Sequence, residues 1–276
     1  MRDASSPMPD GPAVVLDQLL AHYSGTTWLA LLRALEVTRF RAVRGGCRPP
    51  VLDLGCGDGY VSTLALGVPV DAGVDVDGAV LARAAARGGF RLLAQADARR
   101  LPFASGVFRT VYSNGAMEHM DDLDAVLGEV SRVLAPGGVL AALVPSDKFR
   151  GPVGWLGVGL GRRVWTAYHR LHRHVNLLSE DEWRRRLLRH ALMVRRVERY
   201  GGDAIAGFVC ARDLWSKLHV MRTPPFVGLR HGGRLGRLMP ATSPARLRRL
   251  LASDRTSDGA GYWMLIVAER TPGHGR

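Results

Sequence analysis

The sequence predicts an α/β fold, a seven-stranded, mostly parallel sheet with helices on both faces. Two observations carry this. Between residues 49 and 145, short apolar runs of strand type alternate with segments of helical periodicity, the pattern of parallel strands joined by crossover helices. At the head of that region stands VLDLGCGDGY, residues 51–60, where an apolar run containing Asp53 meets glycines at 55, 57 and 59 before a segment able to open a helix. A strand, a glycine-rich turn and a helix start bring a ligand onto open backbone, where a side chain would block it.

The elements follow in order. Residues 1–12, with Pro7, Pro9, Gly11 and Pro12, read as a tail. Residues 14–44 repeat apolar positions at helical spacing and predict two helices broken near Ser24-Gly25. Strands are expected near 50–54, 70–75, 90–95, 107–112 and 138–144, with helices near 59–66, 77–87 and 121–134. Pro136-Gly137-Gly138 is a turn signal that stops the last of these helices and launches the fifth strand. Ser179-Glu180-Asp181-Glu182 caps a helix to about His190, and two more strands are expected at 193–200 and 262–269.

The glycine spacing is G-x-G-x-G, and Tyr60 stands where a dinucleotide fingerprint needs glycine. Asp75 ends the second strand twenty residues after Gly55, where a carboxylate can accept both hydroxyls of a ribose. The third strand runs into Asp97-Ala98, and a carboxylate there can accept from an adenine amino group. Ribose and adenine contacts at successive strand ends point to an adenosine ligand with no demand for phosphate binding.

On these residues, and on GVDVDGAVL (73–81), ADARRLPFASGVFRTVYSNGAMEHM (96–120) and VLGEVSRVLAPGGVLAALVP (126–145), the chain resembles the class I S-adenosylmethionine-dependent methyltransferases, specifically the type 11 (UbiE/UbiG-like) group. The resemblance implies a Rossmann-like fold and S-adenosyl-L-methionine as cofactor. It implies that Gly55, Gly57 and the turn around Gly59 approach the methionyl part, and that Asp53 helps place its amino group. Asp75 would hold the ribose hydroxyls with Val76 against adenine, Asp97 and Ala98 would take the adenine amino edge, and Asn114 would line the floor. Tyr60 departs from the small residue usual in the family and would cover the cofactor. Asn114 opens NGA, not an Asn-Pro-Pro-aromatic tetrad, which disfavours the nucleic-acid amino-methylating enzymes of that type.

The resemblance covers residues 49–145, and the organisation expected around it is as follows. Residues 1–48 form a tail and accessory helices, 146–178 a first insertion, 179–200 a core helix and strand, 201–260 a second insertion, and 261–276 the last strand and a tail. The N-terminal helices and the two insertions would make a helical substrate cap.

Methyl transfer from a sulfonium needs the acceptor held in line and water excluded, and a base only where the acceptor must lose a proton. His119, after the fourth strand, has the location of such a base. His169, His172 and His174 could supply a base or bind an anionic group. No metal is expected, since the His169/His172 pair has no neighbouring carboxylate in sequence and no CxxC exists. Three scattered cysteines, no signal peptide and no long apolar run predict a cytoplasmic protein.

Charge divides the acceptor classes. Residues 1–150 hold 15 basic and 16 acidic side chains, and residues 151–276 hold 23 and 9. The leading expectation is a small organic acceptor methylated at oxygen or carbon, with the basic half a solvated surface. The second is an amphiphilic lipid or polyprenyl acceptor, with peripheral membrane contact through that half and through Trp155, Trp165 and Trp215. RNA ranks lower for want of a recognisable RNA-binding motif, and a non-catalytic binding protein is disfavoured by the intact glycine and aspartate set.

Overall fold

The apolar runs assemble as one sheet in the order β3-β2-β1-β4-β5-β7-β6. The computed structural model describes residues 11–24, 26–67, 69–151, 165–166, 168–218, 242–254 and 261–271. The strands are β1 Val51–Leu54, β2 Val70–Asp75, β3 Phe90–Gln95, β4 Phe108–Asn114, β5 Leu134–Pro145, β6 Leu192–Tyr200 and β7 Trp263–Arg270. β1 to β5 pair in parallel, and β7 runs antiparallel between β5 and β6.

One strand differs from expectation. β5 begins at Leu134, which pairs with Phe108, and the next partners are Val139 and Thr110. Residues 135–138 bulge out between them, because Pro136 lacks a ladder donor and Gly137 takes φ +74°. The turn signal marks a bulge inside the strand.

The described helices are α1 Pro12–His22, α2 Thr27–Val43, α3 Tyr60–Leu66, α4 Gly78–Arg87, α5 Leu123–Val133, α6 Glu180–Arg189, α7 Asp203–Leu218 and α8 Pro244–Ser253. Their starts follow from capping chemistry. Asp77 accepts from Ala79 N–H, and Ser179 and Glu182 form a reciprocal capping box. The Ser179 backbone N–H pulls the Glu182 carboxyl down to about 2.

Both faces of the sheet are covered, as the near-continuous apolar strands require. On one face α1, α2, α7 and α8 pack over Val51, Val70, Tyr112 and Leu143. On the other, α5 and α6 pack over Leu52, Leu54, Val111 and Leu140. The described residues of 201–260 thus contribute two helices to the first layer, where Ile205, Ala206, Val209 and Cys210 make the buried stripe of α7. Arg39 of α2 ties this layer together, donating to Glu198 at 3.0 Å and Asp254 at 2.7 Å. The glycine-rich stretch 152–164, with Trp155, and the Thr223-to-Phe226 segment lie outside the described residues.

Candidate active site

At the point where the strand order reverses, the carboxyl ends of β1, β2 and β4 open into a cavity of about 770 Å³. The glycine turn lies on β2, since Gly55 and Cys56 N–H both donate to the Val74 carbonyl, at 2.8 and 3.0 Å. Gly55 and Gly57 line the cavity with positive φ. A Cβ at Gly55 would overlap Ala116, whereas one at Gly57 would stand in open space. Gly59 is placed otherwise. It begins α3 facing the Phe90 ring, which a Cβ there would overlap, and it does not line the cavity. Tyr60 also turns away, stacked on His22 at 3.9 Å with the Arg87 guanidinium 4.8 Å from its ring centre. It fastens α1 to the turn and does not reach the cavity.

Asp53, Asp75, Val76, Asp97, Ala98, Asn114 and His119 all line this cavity. Asp53 is 1% exposed and its Oδ2 has no hydrogen-bond partner. Burial, opposed by a hydrogen bond with Ser62 and reinforced by the charge of Asp75, pushes its carboxyl up to about 7. Asp75 accepts from Gly57 N–H at 2.9 Å and from Asp77 N–H at 3.0 Å, so it holds the turn in shape. Val76 beside it is 70% exposed. Asp97 takes a two-pronged bond from Arg99, which lowers its pKa. Asn114 donates to Glu36 at 3.0 Å, and its Oδ1 is buried without a partner.

The far wall carries residues that sequence reasoning did not assign, Tyr23 and Arg33 from the N-terminal helices and Arg173 from the first insertion. Arg33 donates to Glu36 at 2.7 Å, and its guanidinium fills the space where a Cβ on Gly115 would stand. The signal for it was present, since Arg33 and Glu36 interrupt an otherwise apolar stretch of α2.

His119 has one ring nitrogen, Nδ1, 3.3 Å from the Arg173 carbonyl and the other 3.8 Å from Glu118. Burial lowers its pKa. Burial also pushes the Glu118 carboxyl up to about 7. The Glu118 main-chain oxygen accepts from Val175 and Asn176 N–H, and Asn176 Nδ2 donates to the carbonyls of Met117 at 2.9 Å and Met120 at 2.6 Å. This fixes the first insertion to the turn after β4. Asn176→Ala is expected to cost about 2 kcal/mol of stability in urea denaturation, two net hydrogen bonds at roughly 1 kcal/mol each. A change under about 0.5 kcal/mol would mean the insertion is held by other contacts.

A family model described as a methyltransferase domain matches residues 52–142. An uncharacterized methyltransferase of Mycobacterium tuberculosis (strain ATCC 25618 / H37Rv) is 31% identical over 167 residues, covering 52% of this chain and 84% of that relative. The chain belongs to the class I S-adenosylmethionine-dependent methyltransferases. A malonyl-[acyl-carrier protein] O-methyltransferase of Hahella chejuensis is 33% identical over 128 residues, 44% of this methyltransferase and 46% of that one. The fold is shared with the geranyl diphosphate C-methyltransferase of Streptomyces coelicolor A3(2), solved with S-adenosyl-L-homocysteine. The TM-score is 0.55 at 18% identity, over 97% of this chain and 86% of that one.

The cofactor is therefore S-adenosyl-L-methionine, and the cavity suits it. The orphaned oxygen of Asp53 suits a cationic amino group, the exposed face of Val76 suits a flat ring, and Gly57 leaves room against bare backbone. Among the described residues no cluster of three His, Cys, Asp or Glu could hold a metal, and no helix is long and apolar enough to cross a membrane.

Proposed function

We propose that this methyltransferase acts on a small organic acceptor, at oxygen or carbon, inside the same cavity. The observation that carries this is the cavity's far wall. Beyond the strand ends it is lined by Tyr23, Arg33, His119 and Arg173, polar groups from three separate segments converging on one space. Its volume is that of an ordinary ligand pocket, roughly 300–1,000 Å³. The Hahella relative, named as an O-methyltransferase, supports oxygen as one acceptor atom.

The cofactor supplies a methyl group on a sulfonium leaving group. The chain's own residues bind and orient it. Asp53 takes the amino group, and Gly55 and Gly57 admit the methionyl chain. Asp75 takes the ribose hydroxyls with lone pairs left over from its two backbone bonds. Val76, Asp97 and Ala98 bracket the adenine, and Asn114 lies beneath. The N-terminal helices and the first insertion cap the acceptor and exclude water.

Calorimetry tests the reading. S-adenosylmethionine and its demethylated product should bind, and NADH weakly or not at all. Asp75→Ala should lose about 1–3 kcal/mol of cofactor affinity, the scale of a charge-assisted bond. Unchanged affinity would remove Asp75 from the site.

The basic half favours a solvated surface over a membrane face. Arg184 pairs with Glu180, Arg186 and Arg189 with Asp124, Arg195 with Glu269 and Arg248 with Asp17, so much of the described charge is answered within the fold. Trp165, expected at an interface, is buried in the core. Co-sedimentation with anionic vesicles at physiological salt should stay at background. Tight binding there would restore the amphiphilic acceptor.

A further inference from the structure

The first insertion and α7 meet in a pairing that sequence reasoning missed. His172 Nε2 lies 2.6 Å from Asp213 Oδ2, and the Asp213 side chain is 0% exposed. Asp213 continues the buried stripe of α7 one turn beyond Val209 and Cys210. The Tyr168 ring packs against His172, with centroids 4.3 Å apart. His172 meanwhile lines the cavity that Gly57, Asn114 and Arg33 line. The carboxylate that the histidine segment lacks in sequence is thus supplied from 41 residues further on, and by a different helix.

We propose that His172, oriented by Asp213, is the general base of the transfer, and that the acceptor is a compound whose hydroxyl or acidic carbon gives up a proton as it is methylated. This rests on the small-acceptor reading above. The chemistry follows from the geometry. A carboxylate buried in the core costs several kcal/mol unless it is bonded, and apolar packing could join α7 to residues 168–172 without that cost. With Nε2–H facing the Asp213 carboxylate, which accepts from it, the ring's lone pair lies on Nδ1, and the carboxylate stabilises the imidazolium when Nδ1 accepts a proton. At Nδ1 His119 faces a main-chain carbonyl, which can orient the ring but carries no full negative charge to stabilise an imidazolium. In the step itself, the acceptor atom bonds to the methyl carbon as the carbon–sulfur pair returns to sulfur. The acceptor's proton goes to Nδ1 of His172 and later to water. Asp213 is a positioning residue and stays ionised. The titratable and charged groups around the ring are Asp213 on α7, Tyr168 and His169 in the short helical stretch 168–172 that carries His172 itself, Arg173 and His174 after that stretch, and His119 from the turn behind β4.

The first test needs no acceptor. In the full chain labelled with ¹⁵N-histidine and saturated with S-adenosylhomocysteine, His172 should show a protonated Nε2 and a bare Nδ1 at pH 8. Asp213→Asn should disturb that tautomer. A proton on Nδ1 would overturn the proposal whatever the acceptor is. The second test offers labelled S-adenosylmethionine with catechol, acetylacetone and benzoate, which are a phenol, a carbon acid and an already ionised carboxylate. Catechol or acetylacetone should accept the methyl group. His172→Gln should cut kcat at least about 100-fold, while cofactor affinity is kept. Transfer to the phenol or carbon acid that survives His172→Gln, or transfer to benzoate alone, would overturn it. Cofactor binding without transfer to any probe would count against the small-acceptor reading, and the tautomer would still decide the dyad.

Discussion

Asp53→Asn should make the free protein more stable and its hold on S-adenosylmethionine weaker. The Asp53 carboxyl is raised from an ordinary 3.8 to about 7, mainly by burial, so the folded state binds its proton more tightly than the unfolded state does. The stability this group contributes is fully present below about pH 3.8 and is lost as pH rises to about 7. Above pH 7 the fold carries an ionised, half-partnered carboxylate in its core. Three pH units at about 1.36 kcal/mol each bound that cost near 4 kcal/mol. Asparagine has the shape without the charge. Urea denaturation at pH 8 should show a gain of about 2–4 kcal/mol that shrinks as pH falls toward 4. Glu118 titrates in the same direction, so wild type and variant must be compared at each pH. Binding should move the other way. In the wild type, cofactor affinity should fall by up to about tenfold per pH unit below 7, because the carboxyl must release a proton to meet the amino group. In Asp53→Asn it should be weaker and flat with pH. Equal stability with flat binding in both proteins would separate Asp53 from the cofactor.

What the sequence made legible was local. The strand positions follow from apolar runs bounded by glycine, proline and aspartate, and nearly all fall within two residues of expectation. β5 starts early because the Pro-Gly-Gly bulge depends on pairing with β4, which no local signal encodes. The strand-end wall of the cavity was readable because consecutive strand ends bring Asp53, Asp75 and Asp97 to one side of it. Its far wall was not, because it is made by long-range contacts. Arg33 reaches Asn114 through Glu36, and His172 reaches Asp213 across two insertions. α7 was legible in part, since its stripe from Ile205 to Asp213 has helical period, and an acid at a buried position of such a stripe is the trace of a partner.

The glycines at 57 and 59 look alike in sequence and should fail in opposite ways. Both hold positive φ, so alanine at either costs about 1–2 kcal/mol of backbone strain. At Gly57 a Cβ meets nothing within 4 Å and stands in the cavity. Gly57→Ala should therefore lose little beyond that strain in urea. It should lose at least about tenfold in cofactor affinity, because the methyl takes space on the backbone the ligand must approach. At Gly59 a Cβ runs into the Phe90 ring. That ring has little room on its far side, since its other edge already occupies the space a Cβ on Gly73 would take. Overpacking adds about 1–3 kcal/mol. Gly59→Ala should therefore lose about 2–5 kcal/mol in total, while the fraction that folds keeps most of its cofactor affinity. Denaturation and calorimetry on the two variants separate the roles. If Gly59→Ala keeps its stability and loses binding, Gly59 lines the cofactor site after all and Phe90 is free to move. If Gly57→Ala binds normally, the ligand does not touch the turn there, and Asp75 rather than bare backbone carries that side of the site.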